Sequence, residues 1–108
     1  MFFNKMMNSN RLSPVKAKEM LDKGGVTLVD VRTPGEFAQG YIKGARLLPL
    51  DRLAIDAKNK LPDKEATILV YCLSGSRSRS AAGLLTRAGY KNVHDIGGIS
   101  SWPYEITS

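Results

Sequence analysis

The chain has 108 residues, 16 Lys and Arg against 10 Asp and Glu, a formal net charge of +6 and a single cysteine. That length supports one apolar core without metal or disulfide staples, and one cysteine excludes an internal disulfide, an internal resolving thiol and a multi-cysteine metal site. Covalent chemistry at the thiol must therefore finish on an external acceptor, and neither a metal nor a cofactor is expected. The positive balance favours anionic substrates or acidic partners, whereas lysines scattered through the chain, rather than clustered with aromatic residues, argue against nucleic acid. The apolar residues within Met1 to Met7 are too few for a secretory signal and no later stretch approaches a membrane span. A reducing cytoplasm is the expected compartment for such a free thiol.

Residues 1–11 are polar and Met-rich and read as a loose arm, and residues 12–108 as one compact domain. Ser13-Pro14 opens a helix with a capping hydroxyl and a proline at the first helical position; Ala17, Met20 and Leu21 share a face, and Gly24-Gly25 stops it. Val26 to Val31 is nearly continuously apolar and β-branched, as in a parallel strand covered on both faces. Thr33-Pro34-Gly35-Glu36 fits a capping box that starts a short helix ended by Gly40. The pattern then predicts a short strand within Ala45 to Leu50, a helix over Leu53 to Lys60 and a strand from Thr67 to Tyr71 leading into Cys72. A helix over Ser78 to Ala88 and a strand over Asn92 to Ile96 complete the series. Strands alternating with helices predict an α/β fold whose central sheet is mainly parallel and flanked by helices on both faces.

In such sheets ligands sit beyond the carboxyl ends of the strands, and two of those ends carry polar chemistry here. The first is Cys72-Leu73-Ser74-Gly75-Ser76-Arg77-Ser78, a cysteine closing an apolar strand before a glycine-bearing turn and a helix. Backbone N–H groups of the turn and the positive end of the helix converge on the sulfur, and Arg77 and Arg79 add full charge. A thiol so placed is expected to ionise easily, through the loop amides first and then the helix terminus and Arg77. The amides of Leu73 to Ser78, the hydroxyls of Ser74, Ser76 and Ser78 and the Arg77 guanidinium make a candidate cradle for an anion, although each serine also suits a turn or cap. The second end is Asp30-Val31-Arg32, with Glu36 nearby. These three fit an ion-pair and capping network that supports the cysteine loop rather than reacting.

With these residues in view, the chain resembles the rhodanese domain family from about Leu12 to Trp102. The resemblance rests on three separated motifs: Asp30-Val31-Arg32 with Glu36-Phe37, Gly40, Ile42, Gly44-Ala45 and Pro49; the Cys72 to Ser78 loop; and Gly89-Tyr90, Val93, Ile96, Gly97-Gly98-Ile99 and Trp102. Tyr41 departs from the pattern, standing where the family usually has histidine, which bears on local packing more than on chemistry. The resemblance implies a single rhodanese-like domain in which Cys72 takes sulfane sulfur from an anionic donor such as thiosulfate. It would hold that sulfur as a persulfide and pass it to a thiol or cyanide, with a sulfur-relay protein as a further acceptor. Expulsion of sulfite, a weakly basic leaving group, requires no general acid, and the loop contains none.

Two rivals follow from the same resemblance. A phosphatase or arsenate reductase would carry one residue more between cysteine and arginine than the four from Leu73 to Ser76, and an alkoxide leaving group would benefit from an acid. A non-catalytic interaction module of the family would usually lose the cysteine or the loop pattern, and both are intact. Elsewhere, His94 reads as structural or exposed, Trp102 as a packing anchor beneath Gly97-Gly98, and Lys43 and Arg46 as basic residues either near the entrance or on a solvated surface.

Overall fold

The computed structural model describes residues 11–108. The arm expected over residues 1–11 thus lies outside the described residues, apart from Arg11, which is bonded into the domain. Helix α1 (Pro14–Lys23) starts as expected, with Ser13 Oγ accepting from the Lys16 N–H at 3.1 Å, and ends at Gly24, whose φ of +82° suits a residue without a side chain. Strand β1 (Val26–Asp30) leads to α2 (Pro34–Gln39), which begins with a complete Thr33–Glu36 capping box. Then come β2 (Tyr41–Ile42), β3 (Arg46–Leu47), a 3-10 turn over Leu50–Arg52, α3 (Leu53–Lys60), β4 (Thr67–Cys72), α4 (Ser76–Arg87), β5 (Asn92–Gly98) and β6 (Ile106–Thr107).

The central sheet has the order β3-β1-β4-β5 with every neighbouring pair parallel, and β2 and β6 form a separate antiparallel pair. Alternation along the strands sends side chains to two cores. Val29, Ile68, Val70, Cys72 and Val93 pack with Leu53 and Ala57 of α3 and Ala81, Ala82 and Leu85 of α4. Leu28, Leu69, Tyr71 and Ile96 pack on the other face with Ala17 of α1, Ile42 and Trp102. Both faces are covered by helices, as the apolar β-branched runs require.

Three boundaries differ from the sequence expectation. The strand expected within Ala45 to Leu50 shrinks to Arg46–Leu47, since Pro49 has no N–H for a ladder and the chain turns into 3-10 geometry at Leu50. Helix α4 starts at Ser76, before Ser78, because Gly75 at φ +112° turns the chain sharply enough for the helix to begin at once. Strand β5 runs on to Gly98, where it pairs with Cys72 across an irregularity. The β2–β6 pair was not expected: strands of two residues have no periodicity to read. No helix among the described residues is long and apolar enough to cross a membrane.

Candidate active site

Cys72 ends β4 on the face covered by α4, and the parallel register brings the end of β1 alongside it, with Asp30 opposite Tyr71. The sulfur is buried. The Gly75 N–H donates to Sγ at 3.0 Å, and no side chain caps α4, so the sulfur occupies the place of a capping acceptor at the positive end of the helix. Burial pushes the thiol pKa up, but the Ser78 hydroxyl and the N–H groups of Ser78, Gly75 and Ser74 together outweigh it and hold the pKa below its ordinary value. The hydroxyl stands ahead of the amides, and Arg77 is not among these leading causes. That order differs from the sequence expectation. Ser78 is fully buried, whereas Ser74 and Ser76 are exposed on the outer side of the loop.

Ser78 Oγ is the junction of a buried network. It lies 3.6 Å from Cys72 Sγ, 3.1 Å from the Gly75 carbonyl and 2.6 Å from Asp95 Oδ1. Asp95 comes from β5, where it follows Val93 by two residues and so faces α4 with it. Asp95 is absent from the sequence-based candidates. No local motif marks it, and only the pairing of β5 with β4 carries it to the loop. Ser78→Ala is expected to raise the thiol inflection, followed by alkylation against pH, by about one unit and to slow that alkylation about tenfold below it. The Asp95 carboxylate would also lose a buried donor, costing about 1–3 kcal/mol in a thermal melt. An unmoved inflection would remove Ser78 from the thiolate's support.

The three residues expected to form one supporting network divide, Asp30 pairing with Arg32 and Glu36 with Arg77 of the cysteine loop. Buried Arg32 binds Asp30 through Nε and Nη2, at 3.0 and 2.7 Å, and its Nη2 also donates to the Gly40 carbonyl at 2.7 Å, fixing the turn after α2. Glu36 receives both terminal nitrogens of Arg77, at 2.7 and 2.9 Å, while still accepting from the Thr33 N–H. The Arg77 hydrogen bonds and then the Thr33 amide lower the Glu36 pKa to about 2. Two of the Arg77 donors are therefore engaged by a carboxylate, and the pair fastens the loop to α2. Arg77→Ala and Glu36→Ala are expected to lower the melting temperature by a similar amount, about a few degrees, since each releases the loop from α2. A depressed carboxyl stabilises the fold above its unfolded value, here near 4.5, and the contribution is lost as pH falls toward 2. Acid titration of stability should be flatter over that window in Glu36→Gln than in the parent, and identical curves would refute the clamp.

An open groove of about 520 Å³ runs beside the loop, lined by Val31, Pro34, Pro49, Leu50, Arg52 and Arg77 among others. Lys43 is not at this rim; it borders a cavity of about 460 Å³ with Trp102 and Tyr104, away from the cysteine. The Arg46 side chain reaches the Lys60 carbonyl at 3.0 Å and does not supply charge at the entrance. Trp102 packs in the core beneath α1, edge-on to Tyr104. His94 is half-buried, and its Nδ1 has no hydrogen-bond partner. Among the described residues no cluster of His, Cys, Asp and Glu could hold a metal ion.

The cysteine is thus cradled by amides at the carboxyl rim of a parallel sheet. The model of the Rhodanese-like domain family matches residues 13–104. The chain belongs to the rhodanese-like domain family. Thiosulfate sulfurtransferase GlpE of Pseudomonas putida is 38% identical over 98 residues, 90% of this chain and 87% of that protein. The human single-domain sulfurtransferase TSTD1 superposes with a TM-score of 0.76 at 26% identity, over 86% of this chain and 93% of the other. An Escherichia coli rhodanese solved with anions has a TM-score of 0.72 at 30% identity, over 76% and 96%. This rhodanese-like domain thus shares its architecture with proteins from bacteria to human.

Proposed function

We propose that this rhodanese-like domain moves sulfane sulfur from thiosulfate or a related anionic donor through a persulfide on Cys72 to a thiol or cyanide. Its enzyme class, a rhodanese-type sulfurtransferase, is that of its relatives. The observation that carries the finer reading is the set of groups converging on one sulfur: the Gly75 amide at 3.0 Å, the Ser74 and Ser78 amides, and the Ser78 hydroxyl oxygen at 3.6 Å. In loading, the thiolate attacks the outer sulfur of thiosulfate, a new S–S bond forms, the old one breaks, and its electron pair leaves with sulfite. Charge is conserved, three negative charges on each side: the charge carried by Sγ passes to the transferred outer sulfur, and the loop amides are the donors at hand to receive it there. In discharge, a thiolate or cyanide takes the outer sulfur and returns Cys72 as the thiolate.

No acid is needed in either step, which agrees with a loop from Leu73 to Ser78 that holds no carboxyl group. Phosphatase or arsenate-reductase chemistry gains no support, because the loop is a residue short and both carboxylates beside it are engaged, Glu36 by Arg77 and Asp95 by Arg11 and Ser78. Leu73, 46% exposed at the loop, and the apolar floor of the adjacent groove suit a protein acceptor in a sulfur relay. A reducing compartment fits a chain whose only cysteine is the reacting one. The test is intact-mass spectrometry: thiosulfate should add one sulfur atom to the protein, and cyanide or a thiol should remove it. A folded protein that gains no sulfur from thiosulfate, a persulfide or mercaptopyruvate would end this reading, and hydrolysis of a phosphomonoester in parallel would favour the rival.

A further inference from the structure

The buried network behind Cys72 does not stop at Asp95. Arg11 donates from Nε to Asp95 Oδ2 at 3.0 Å, with Nη2 at 2.7 Å from the same oxygen, and Nη2 also donates to the Gly75 carbonyl at 3.2 Å. A backbone bridge between Arg11 and Asp95, with the Leu12 N–H on the Asp95 carbonyl at 2.9 Å, fixes where this guanidinium enters. It lies flat enough against the loop that a side chain at Gly75 would meet it at 3.1 Å. The other Asp95 oxygen accepts from the Gly97 N–H at 2.9 Å and from Ser78 Oγ.

This places two anions on one hydroxyl. Ser78 has a single proton to donate, and both the Asp95 carboxylate and the Cys72 thiolate face its oxygen. An uncompensated carboxylate would hold that proton and repel a charge forming on the sulfur. Of the other charged groups at this rim, Asp30 answers Arg32 on the β1 side and Glu36 of α2 answers Arg77 of α4, while Arg79 of α4 is exposed. Asp95 is answered by Arg11.

We propose that Arg11 is a positioning residue of the thiol centre: by neutralising Asp95 it lets the Ser78 hydroxyl turn from the carboxylate to the Cys72 thiolate. When the thiol ionises, the Ser78 proton stays on its oxygen and exchanges one acceptor for the other. Asp95 keeps the Gly97 amide and Arg11. Arg11 touches neither the sulfur nor the donor, so its effect passes entirely through Asp95 and Ser78. The inference assumes Cys72 as the reacting thiol, but the thiol's titration can be followed without any sulfur transfer, so the two can fail separately.

The test is the pH dependence of Cys72 alkylation in four variants of the full chain, each checked for folding by its melt. Arg11→Ala should raise the inflection by about half to one unit and slow loading below it about three- to tenfold. Arg11→Gln, which keeps a donor to Asp95 but not the charge, should rise as well, and Arg11→Lys should stay near the parent. The decisive variant is the double change Arg11→Ala with Asp95→Asn, which removes both charges and should return the inflection to within about 0.3 units of the parent. If Arg11→Gln leaves the inflection unchanged, or if the double variant stays as high as Arg11→Ala, the compensation is refuted and Arg11 is a tether of the loop only.

Discussion

Cys72→Ser is expected to remove sulfur loading to background, a loss on the order of 10³-fold or more, while the protein keeps its melting temperature to within a few degrees. The chemistry needs a group that is anionic near neutral pH and polarisable enough to attack sulfur. A serine hydroxyl in the same place stays protonated even among these donors. The fold should tolerate the change because the site is polar by construction: the Gly75 amide that meets Sγ at 3.0 Å can meet an oxygen, and Ser78 Oγ remains beside it. Burial of a hydroxyl there is compensated by hydrogen bonds that a purely apolar pocket would not offer. The measurement is a single turnover with thiosulfate, read as the mass gain of one sulfur and as released sulfite. Residual turnover above a hundredth of the parent would defeat the assignment of Cys72 as the sulfur carrier.

Gly98→Ala should meet the tightest contacts of any glycine-to-alanine change among the described residues. The Gly98 backbone is ordinary extended chain, with φ near −116°, so strain in the peptide is not the reason. A Cβ there would collide with the Leu73 carbonyl and the Ser74 Cα, which are loop backbone and cannot rotate out of the way. The loop is pinned against that segment by the Ser100 N–H on the Leu73 carbonyl at 3.1 Å and by the pairing of Cys72 with Gly98. Either β5 or the loop must shift, costing about 1–3 kcal/mol or more in stability. Because the loop amides hold the thiolate by direction, loading should fall about a hundredfold, beyond what partial unfolding explains. Denaturant melts and single-turnover loading on the same sample separate the two effects. A variant that melts and loads like the parent would show that Gly98 does not buttress the loop.

Much of this molecule is legible along the chain. The Ser13-Pro14 and Thr33–Glu36 caps, the helix over Leu53–Lys60, the apolar runs of β1 and β4 and the alternation of strands with helices are local signals, and each is found where local chemistry puts it. Cys72 and its loop are legible for the same reason. Their chemistry is written in consecutive residues, where a strand end, a glycine and a helix start meet.

What the chain order could not disclose is every contact that depends on which strands lie side by side. The pairing of Arg77 with Glu36 joins residues 41 apart, and it ties the loop to α2. Asp95 reaches Ser78 only because β5 lies beside β4 with an irregularity between Val70 and Cys72, and Arg11, read as the end of a loose arm, reaches Asp95 across 84 residues. By itself, the sequence determined the α/β alternation, the cysteine loop and the family, because periodicity, caps and a contiguous loop are short-range properties. The tertiary structure alone decided that Arg77 meets Glu36 and Arg11 meets Asp95 around the sulfur, since these partners are chosen by distance in space and not by spacing along the chain.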